Sequence, residues 1–269
     1  MLELQNINKI FGQFTPNENH ALKNINLKIN QGDFITIIGS NGAGKSTLYN
    51  IIAGTYAPTN GEIFLLGDPP HALRKITKQP EYKRAKFIGR IFQNPLLGTA
   101  GKLSLEDNML LASYKGIRSL KINLNDKKRE EFRERISVLG MNLEHRLKDN
   151  VELFSGGQRQ ALTLLMAVMS NPQILLLDEH TAALDPSNAA KVMELTEKFA
   201  REYNLTVLMI THNIHQAIAS GNRLLMMDGG EIIIDIPKEK KEKLSVGDLL
   251  NWFKEIKHKD LDNDRILLG

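Results

Sequence analysis

Two stretches of this sequence carry residue types and spacings suited to phosphate chemistry. Gly39-Ser40-Asn41-Gly42-Ala43-Gly44-Lys45-Ser46-Thr47 fits G-x-x-x-x-G-K-[ST] at every position. Glycines at this spacing let the backbone curl so that successive N–H groups converge on phosphate oxygens. A helix opening at the end of the loop adds the partial positive charge of its N-terminus. Lys45 then reaches the β- and γ-phosphates, and the Ser46 hydroxyl can ligate Mg2+. The second stretch is Asp178-Glu179, which ends the apolar run Ile174-Leu175-Leu176-Leu177. An acid at the end of a buried strand can hold the magnesium shell of a loop-bound nucleotide, which gives Asp178 to the metal. Successive strand-end residues project differently, so Glu179 can polarise the attacking water.

A third element, Phe154-Ser155-Gly156-Gly157-Gln158, stands just before an apolar helix at 158–169. A serine and two glycines at a helix N-terminus make a second anion-binding cap. One chain thus has two phosphate-seeking elements for one nucleotide.

The elements that must position these residues alternate as in an α/β protein. Strands are expected at 25–29, 34–38, 62–66 and 87–92, with a helix from the glycine-rich loop through Ala53, stopped by Gly54 and Pro58. From about 95 to 150 the composition turns to charged, helix-forming segments such as 126–139, which suggests a helical subdomain inserted into the sheet protein. The run 174–177 is a strand buried on both faces. Asp185-Pro186 is a helix start, with Val192, Leu195 and Phe199 on one face. A strand at 205–210 follows, then a hairpin of 223–228 and 231–236 around Gly229-Gly230. The last candidate, 249–256, is amphipathic.

With 269 residues, 42% hydrophobic and 25% charged, the chain can bury a real core, which excludes disorder, a collagen-like fibre and a disulfide-stapled scaffold. It has no cysteine, hence no thiolate metal site or cysteine nucleophile. The longest apolar run, 161–169, is about half of the ~20 residues a bilayer-spanning helix needs, and the first ten residues lack a signal-peptide layout. A soluble, cytosolic protein is expected. The net charge is +4, and residues 71–90 hold seven basic residues (Arg74, Lys75, Lys78, Lys83, Arg84, Lys86, Arg90) against Glu81 alone. These read as an ordinary basic surface, or one suited to lipid headgroups or an acidic partner. Elsewhere acids interleave with bases, as in Lys238-Glu239-Lys240-Lys241-Glu242-Lys243, which argues against a nucleic-acid partner.

On these motifs the sequence resembles the ATP-binding cassette family, the ATPase subunits of ABC transporters. The family signature is Leu-Ser-Gly-Gly-Gln, and Phe154 replaces its leucine while keeping the position apolar. The resemblance covers roughly residues 1–236 and implies an α/β P-loop NTPase (RecA-like) core with an antiparallel β subdomain and an inserted α-helical subdomain at about 94–157. Residues 237–269 would then be a C-terminal extension. It also implies roles: Gln93 as the Q-loop glutamine at the metal, Asp185 as the D-loop aspartate, His212 as the switch histidine on the γ-phosphate, and Phe11 stacking on adenine, with Phe14 as the alternative. His180 stands where the family more often has proline or a small residue and receives no role.

ATP and Mg2+ are the implied ligands. The signature of one copy would complete the ATP site of a second in a head-to-tail homodimer, with Ala43 approaching Phe154 of the other copy. Separate transmembrane permease subunits, docked near Gln93 and the helical subdomain, would hold the chain at the cytoplasmic face of the cell membrane. The runs 92–100 and 178–185 look like those of cassettes paired with solute-binding proteins, hence bacterial import of a small solute such as an amino acid. The rival readings are the ATPase of an exporter or lipoprotein-release machine, and a soluble switch protein.

Overall fold

The computed structural model describes residues 2–66, 73–113 and 124–257. The chain opens with β1 (Leu2–Phe11), β2 (Asn19–Ile29), β3 (Phe34–Gly39), α1 (Lys45–Ala53), β4 (Asn60–Leu66), β5 (Leu73–Lys75) and the short α2 (Glu81–Arg84). It continues through β6 (Ile88–Ile91), α3 (Leu105–Ser113), α4 (Asp126–Ser137), α5 (Gly156–Met169), β7 (Ile174–Asp178) and α6 (Pro186–Glu202). It ends with β8 (Thr206–Ile210), α7 (Ile214–Ala219), β9 (Arg223–Asp228), β10 (Glu231–Ile236), α8 (Lys238–Lys241) and α9 (Val246–Lys257). Two compact units result: Met1–Ala85 with Asn204–Gly269, and Lys86–Tyr203.

The first unit holds an antiparallel sheet ordered β2-β1-β4-β5 and a second set of strands ordered β10-β9-β3-β8. In the latter, β3 runs parallel to both neighbours, and only the β9–β10 hairpin is antiparallel. All six residues of β3 are buried, as an apolar strand covered on both faces should be. Alternation does not reveal β1. Its buried residues step from Leu2 and Leu4 to Ile7, because the register slips between Leu4 and Ile7, where Asn6 takes φ 50°. The amphipathic segment at the C-terminus is α9. Its Leu249 and Phe253 join Ile38, Ile214, Leu224, Met226 and Ile236 in one buried cluster, so it belongs to the core of this unit. Lys241 of α8 is buried too, with Nζ donating to Thr36 Oγ1 at 3.2 Å and to the Ser220 carbonyl.

The basic stretch needs correction at Arg84. This residue is 1% exposed, and its guanidinium donates to the carbonyls of Ile51, Ile52, Thr77 and Gln79 at 2.7–2.9 Å. Ile51 and Ile52 lie in the last turn of α1, whose unpaired carbonyls a cation satisfies. Burial lowers its pKa to about 10.

The second unit contains the parallel pair β6–β7 and the helices α3 to α6. α5 buries Ala161, Leu162, Leu164 and Leu165, and α6 buries Val192, Leu195 and Phe199 on one face. Asp185 caps α6 through Asn188 N, with Pro186 at the first helical position. Among the described residues between 95 and 150, structure is helical apart from one isolated bridge, Ser104 with Asn150.

Candidate active site

β3 delivers the chain into the 39–47 loop at a point that admits no side chain. A Cβ on Gly39 would lie 2.1 Å from the carbonyl oxygen of Met227, its register partner in β9. Gly44, at φ 96°, would put a Cβ 2.6 Å from Ala21 O. The loop is braced from outside: Ser40 Oγ donates to Asp228 Oδ1 at 2.7 Å, Gly230 N to Ala43 O at 3.2 Å, and Lys23 N to Gly230 O at 2.8 Å. Lys45 is buried, with Nζ donating to Gly39 O at 2.7 Å and Ser40 O at 3.0 Å. Asn41, Gly42 and Ser46 face outward, and Thr47 is half-buried.

The start of α1 fits a phosphate. Its N-cap is Gly44, with no side-chain cap, whereas α4, α5, α6 and α7 begin on the capping side chains of Asn125, Ser155, Asp185 and Asn213. The first-turn donors of α1 are therefore left to an anion. In the same unit, Ile37 pairs with Ile210, so Gly39 and His212 each leave the strands two residues later at one edge. Phe11, ending β1, meets Tyr56 edge-on (centroids 5.4 Å apart) with Lys9 Nζ 4.9 Å from its ring centre. Phe14 is 91% exposed at φ 64°.

In the second unit, the pairing of Ile91 with Leu177 carries Gln93 and Glu179 out at one edge. Asp178 Oδ2 accepts from Arg90 Nη2 at 3.4 Å, and that guanidinium stacks 4.5 Å over the Phe92 ring. Arg90, expected in a basic surface, is thus a largely buried partner of the strand-end acid. Glu179 takes φ 49°. Apart from Phe14, the other non-glycine residues at positive φ among those described are asparagines. Such strain concentrates at functional sites. Among the described residues no three His, Asp or Glu cluster as metal ligands. That suits Mg2+, which typically takes one or two carboxylates and fills its shell with water and phosphate.

The 155–158 element forms a closed capping box: Ser155 Oγ accepts from Gln158 N at 3.3 Å, and Ser155 N donates to Gln158 Oε1 at 3.0 Å. Gly156 is half-buried against Leu184, and a Cβ on Gly157 would lie 2.5 Å from Asn188 Cγ. Asn188 in turn donates to Asp185 from its backbone (3.0 Å) and side chain (2.6 Å), which holds the Asp185 carboxyl below its ordinary pKa. The starts of α5 and α6 are therefore packed together. Ala43 and Phe154 are both buried within their own units, Phe154 under the Arg146 guanidinium. Sequence reasoning read Arg90 as surface charge and gave Asp228 and Gln160 no role; the last is a buried polar residue in a largely apolar helix, which is the signal that marks it.

A glycine-cradled loop, a buried lysine and strand-end acids are the working parts of a P-loop nucleotide hydrolase. A family model described as ABC transporter matches residues 22–182, and the chain belongs to that family as an ATP-binding, ATP-hydrolysing transporter subunit. It is 42% identical over 254 residues to the tyrosine transport ATP-binding protein of Clostridioides difficile, covering 94% of this chain and 98% of that one. It is 37% identical over 259 residues to the methionine import ATP-binding protein MetN 2 of Enterococcus faecalis, covering 91% and 69%. Among solved structures, the dimeric bacterial ABC transporter cassette MJ0796 aligns with a TM-score of 0.72 at 30% identity, covering 88% of this chain and 98% of that one.

Proposed function

We propose that this subunit powers bacterial uptake of an amino acid, in the narrowest form an aromatic one. It works as a homodimer on the cytoplasmic face of the membrane, with separate permease subunits and an extracytoplasmic solute-binding protein. The observation that carries this reading is the nearly end-to-end match to a protein named for tyrosine transport. Among the described residues no helix is long and apolar enough to cross a membrane, so attachment through permease subunits is part of the proposal.

In this reading the backbone N–H groups of 39–47 hold the ATP phosphates, and Lys45 exchanges the carbonyls of Gly39 and Ser40 for β- and γ-oxygens. Ser46, Gln93 and Asp178 would hold Mg2+, which supplies neutralising charge to those oxygens. Glu179 takes the proton of the attacking water as its oxygen bonds to the γ-phosphorus and the bond to the β–γ bridging oxygen breaks. His212 steadies the γ-phosphate and Phe11 the adenine. Ser155, Gly156, Gly157 and Gln158, with Asp185 beside them, close over nucleotide held by the second copy. Such closure is a two-state event that ATP biases.

The test is ATPase activity of the subunit reconstituted with its permease and binding protein, with tyrosine, phenylalanine, tryptophan, methionine or xylose supplied on the outer side. An aromatic amino acid is expected to stimulate turnover several-fold. Stimulation by xylose alone overturns the solute class, and no stimulation by any solute overturns the import reading.

A further inference from the structure

Gln160 lies on α5 two residues past Gln158 and is 0% exposed. Its Nε2 donates to two carbonyls from different loops, His180 O at 2.7 Å and Phe92 O at 3.1 Å. His180 follows Glu179 and Phe92 precedes Gln93, so one amide grips the backbone beside both groups assigned to hydrolysis. The Oε1 of the same amide is buried with no hydrogen-bond partner. A buried acceptor left unsatisfied destabilises the fold. Leucine or methionine would fill this interior helix position without that cost, so what glutamine adds is its pair of donors. Glu179 also sits at φ 49°, a conformation that persists only where its surroundings over-determine it. A 2.7 Å bond to the next carbonyl is such a restraint.

We propose that Gln160 is a positioning residue for hydrolysis, fixing the backbones of Glu179 and Gln93 to the helix that begins with Ser155. This rests on the reading of Glu179 as the base. Nucleotide binding, which belongs to Lys45 and its loop, is not part of the role. Loss of the two bonds lowers turnover and leaves ATP affinity alone.

The experiment compares Gln160→Met, which keeps volume without donors, and Gln160→Leu, which is branched, smaller and also without donors, in the full-length protein. The leucine variant carries the test where the methionine variant does not fold. Affinity for a fluorescent ATP analogue and KM should stay within twofold of the parent while kcat falls at least tenfold. In nucleotide-free protein, hydrogen exchange should quicken in peptides covering 92–94 and 179–182 and not along α5. In the Glu179→Gln background, Gln160→Met should cause a much smaller loss of turnover than in the parent, since its hold beside Glu179 no longer matters and only the one beside Gln93 remains. Parent-like kcat in folded variants, an additive loss in the double variant, or exchange quickened evenly through the unit each overturns the proposal. Parent-like turnover of Glu179→Gln alone instead overturns the base assignment, and the exchange pattern then decides on the clamp by itself.

Discussion

In the proposed function the starts of α1 and α5 both face an anion, yet they are finished in opposite ways. α1 begins on Gly44 with no side chain to answer its first-turn donors, and its loop is braced by Asp228 on Ser40 and Gly230 on Ala43. α5 begins on Ser155 with its donors already answered from within, Gln158 N by Ser155 Oγ and Ser155 N by Gln158 Oε1. A serine hydroxyl that accepts in the capping box still has a proton to give outward. The first site can therefore hold a phosphate unaided, through many backbone donors and Lys45. The second offers one hydroxyl and a glycine backbone, which in the proposed function close over a phosphate that something else already holds.

Neither helix start breaks the bond, so the largest effect is expected away from both. Glu179→Gln should lower turnover by about 10²–10⁴-fold, the range for a lost general base, with ATP affinity unchanged. Turnover near the parent value would place the base elsewhere. Lys45→Ala strikes the self-sufficient start. Charge-assisted hydrogen bonds are worth about 1.5–3 kcal/mol, so ATP affinity of the isolated protein should fall roughly 10- to 100-fold by equilibrium titration. Unchanged affinity would remove the functional meaning of the open cap.

Ser155→Ala strikes the dependent start. ATP affinity of the isolated protein should hold, while ATP-driven dimerisation in the Glu179→Gln background weakens, read by sedimentation. α5 should also lose about 1 kcal/mol of capping. Should Ser155→Ala weaken binding to the isolated protein as Lys45→Ala does, the two starts are equivalent and the contrast fails. Because Ala43 and Phe154 are buried, a thiol probe of head-to-tail pairing belongs instead on exposed Asn41 and Leu153, in a chain with no native cysteine.

The phosphate loop is legible in sequence because glycine spacing is itself geometry: residues 39 and 44 admit nothing larger, whatever the rest of the chain does. The caps at Ser155 and Asp185 are legible for the same reason, since each is settled within four residues. What escapes is long-range. Arg84 and Arg90 sit in one basic run, yet one caps α1 and the other faces Asp178, and nothing in their neighbours distinguishes them from Lys83 or Lys86. β1 hides because a bulge at Asn6 breaks its alternation. The partner of α9 is a core assembled from β3, α7, β9 and β10, which the helix's own pattern cannot name.

His180 yields the smallest expected effect, and a stability effect only. Its ring is buried with Nε2 3.1 Å from Thr196 Oγ1. The Thr196 hydroxyl spends its proton on Val192 O at 2.8 Å, so Nε2–H of a neutral imidazole is the donor. Burial pushes the His180 pKa down to about 4. The unfolded chain takes up a proton near pH 6.5, which the native state refuses until about pH 4. The contribution of His180 is therefore complete above pH 6.5 and is lost as pH falls toward 4. Between pH 7.5 and 6 the loss amounts to somewhat under 1 kcal/mol, or about 2–3 °C in melting temperature. His180→Gln keeps a donor for Thr196 but cannot titrate. It should match the parent near pH 7.5 and remove that increment of acid sensitivity, measured by paired thermal melts at the two pH values. Equal acid sensitivity in both proteins would assign the loss to other groups and leave His180 as packing alone.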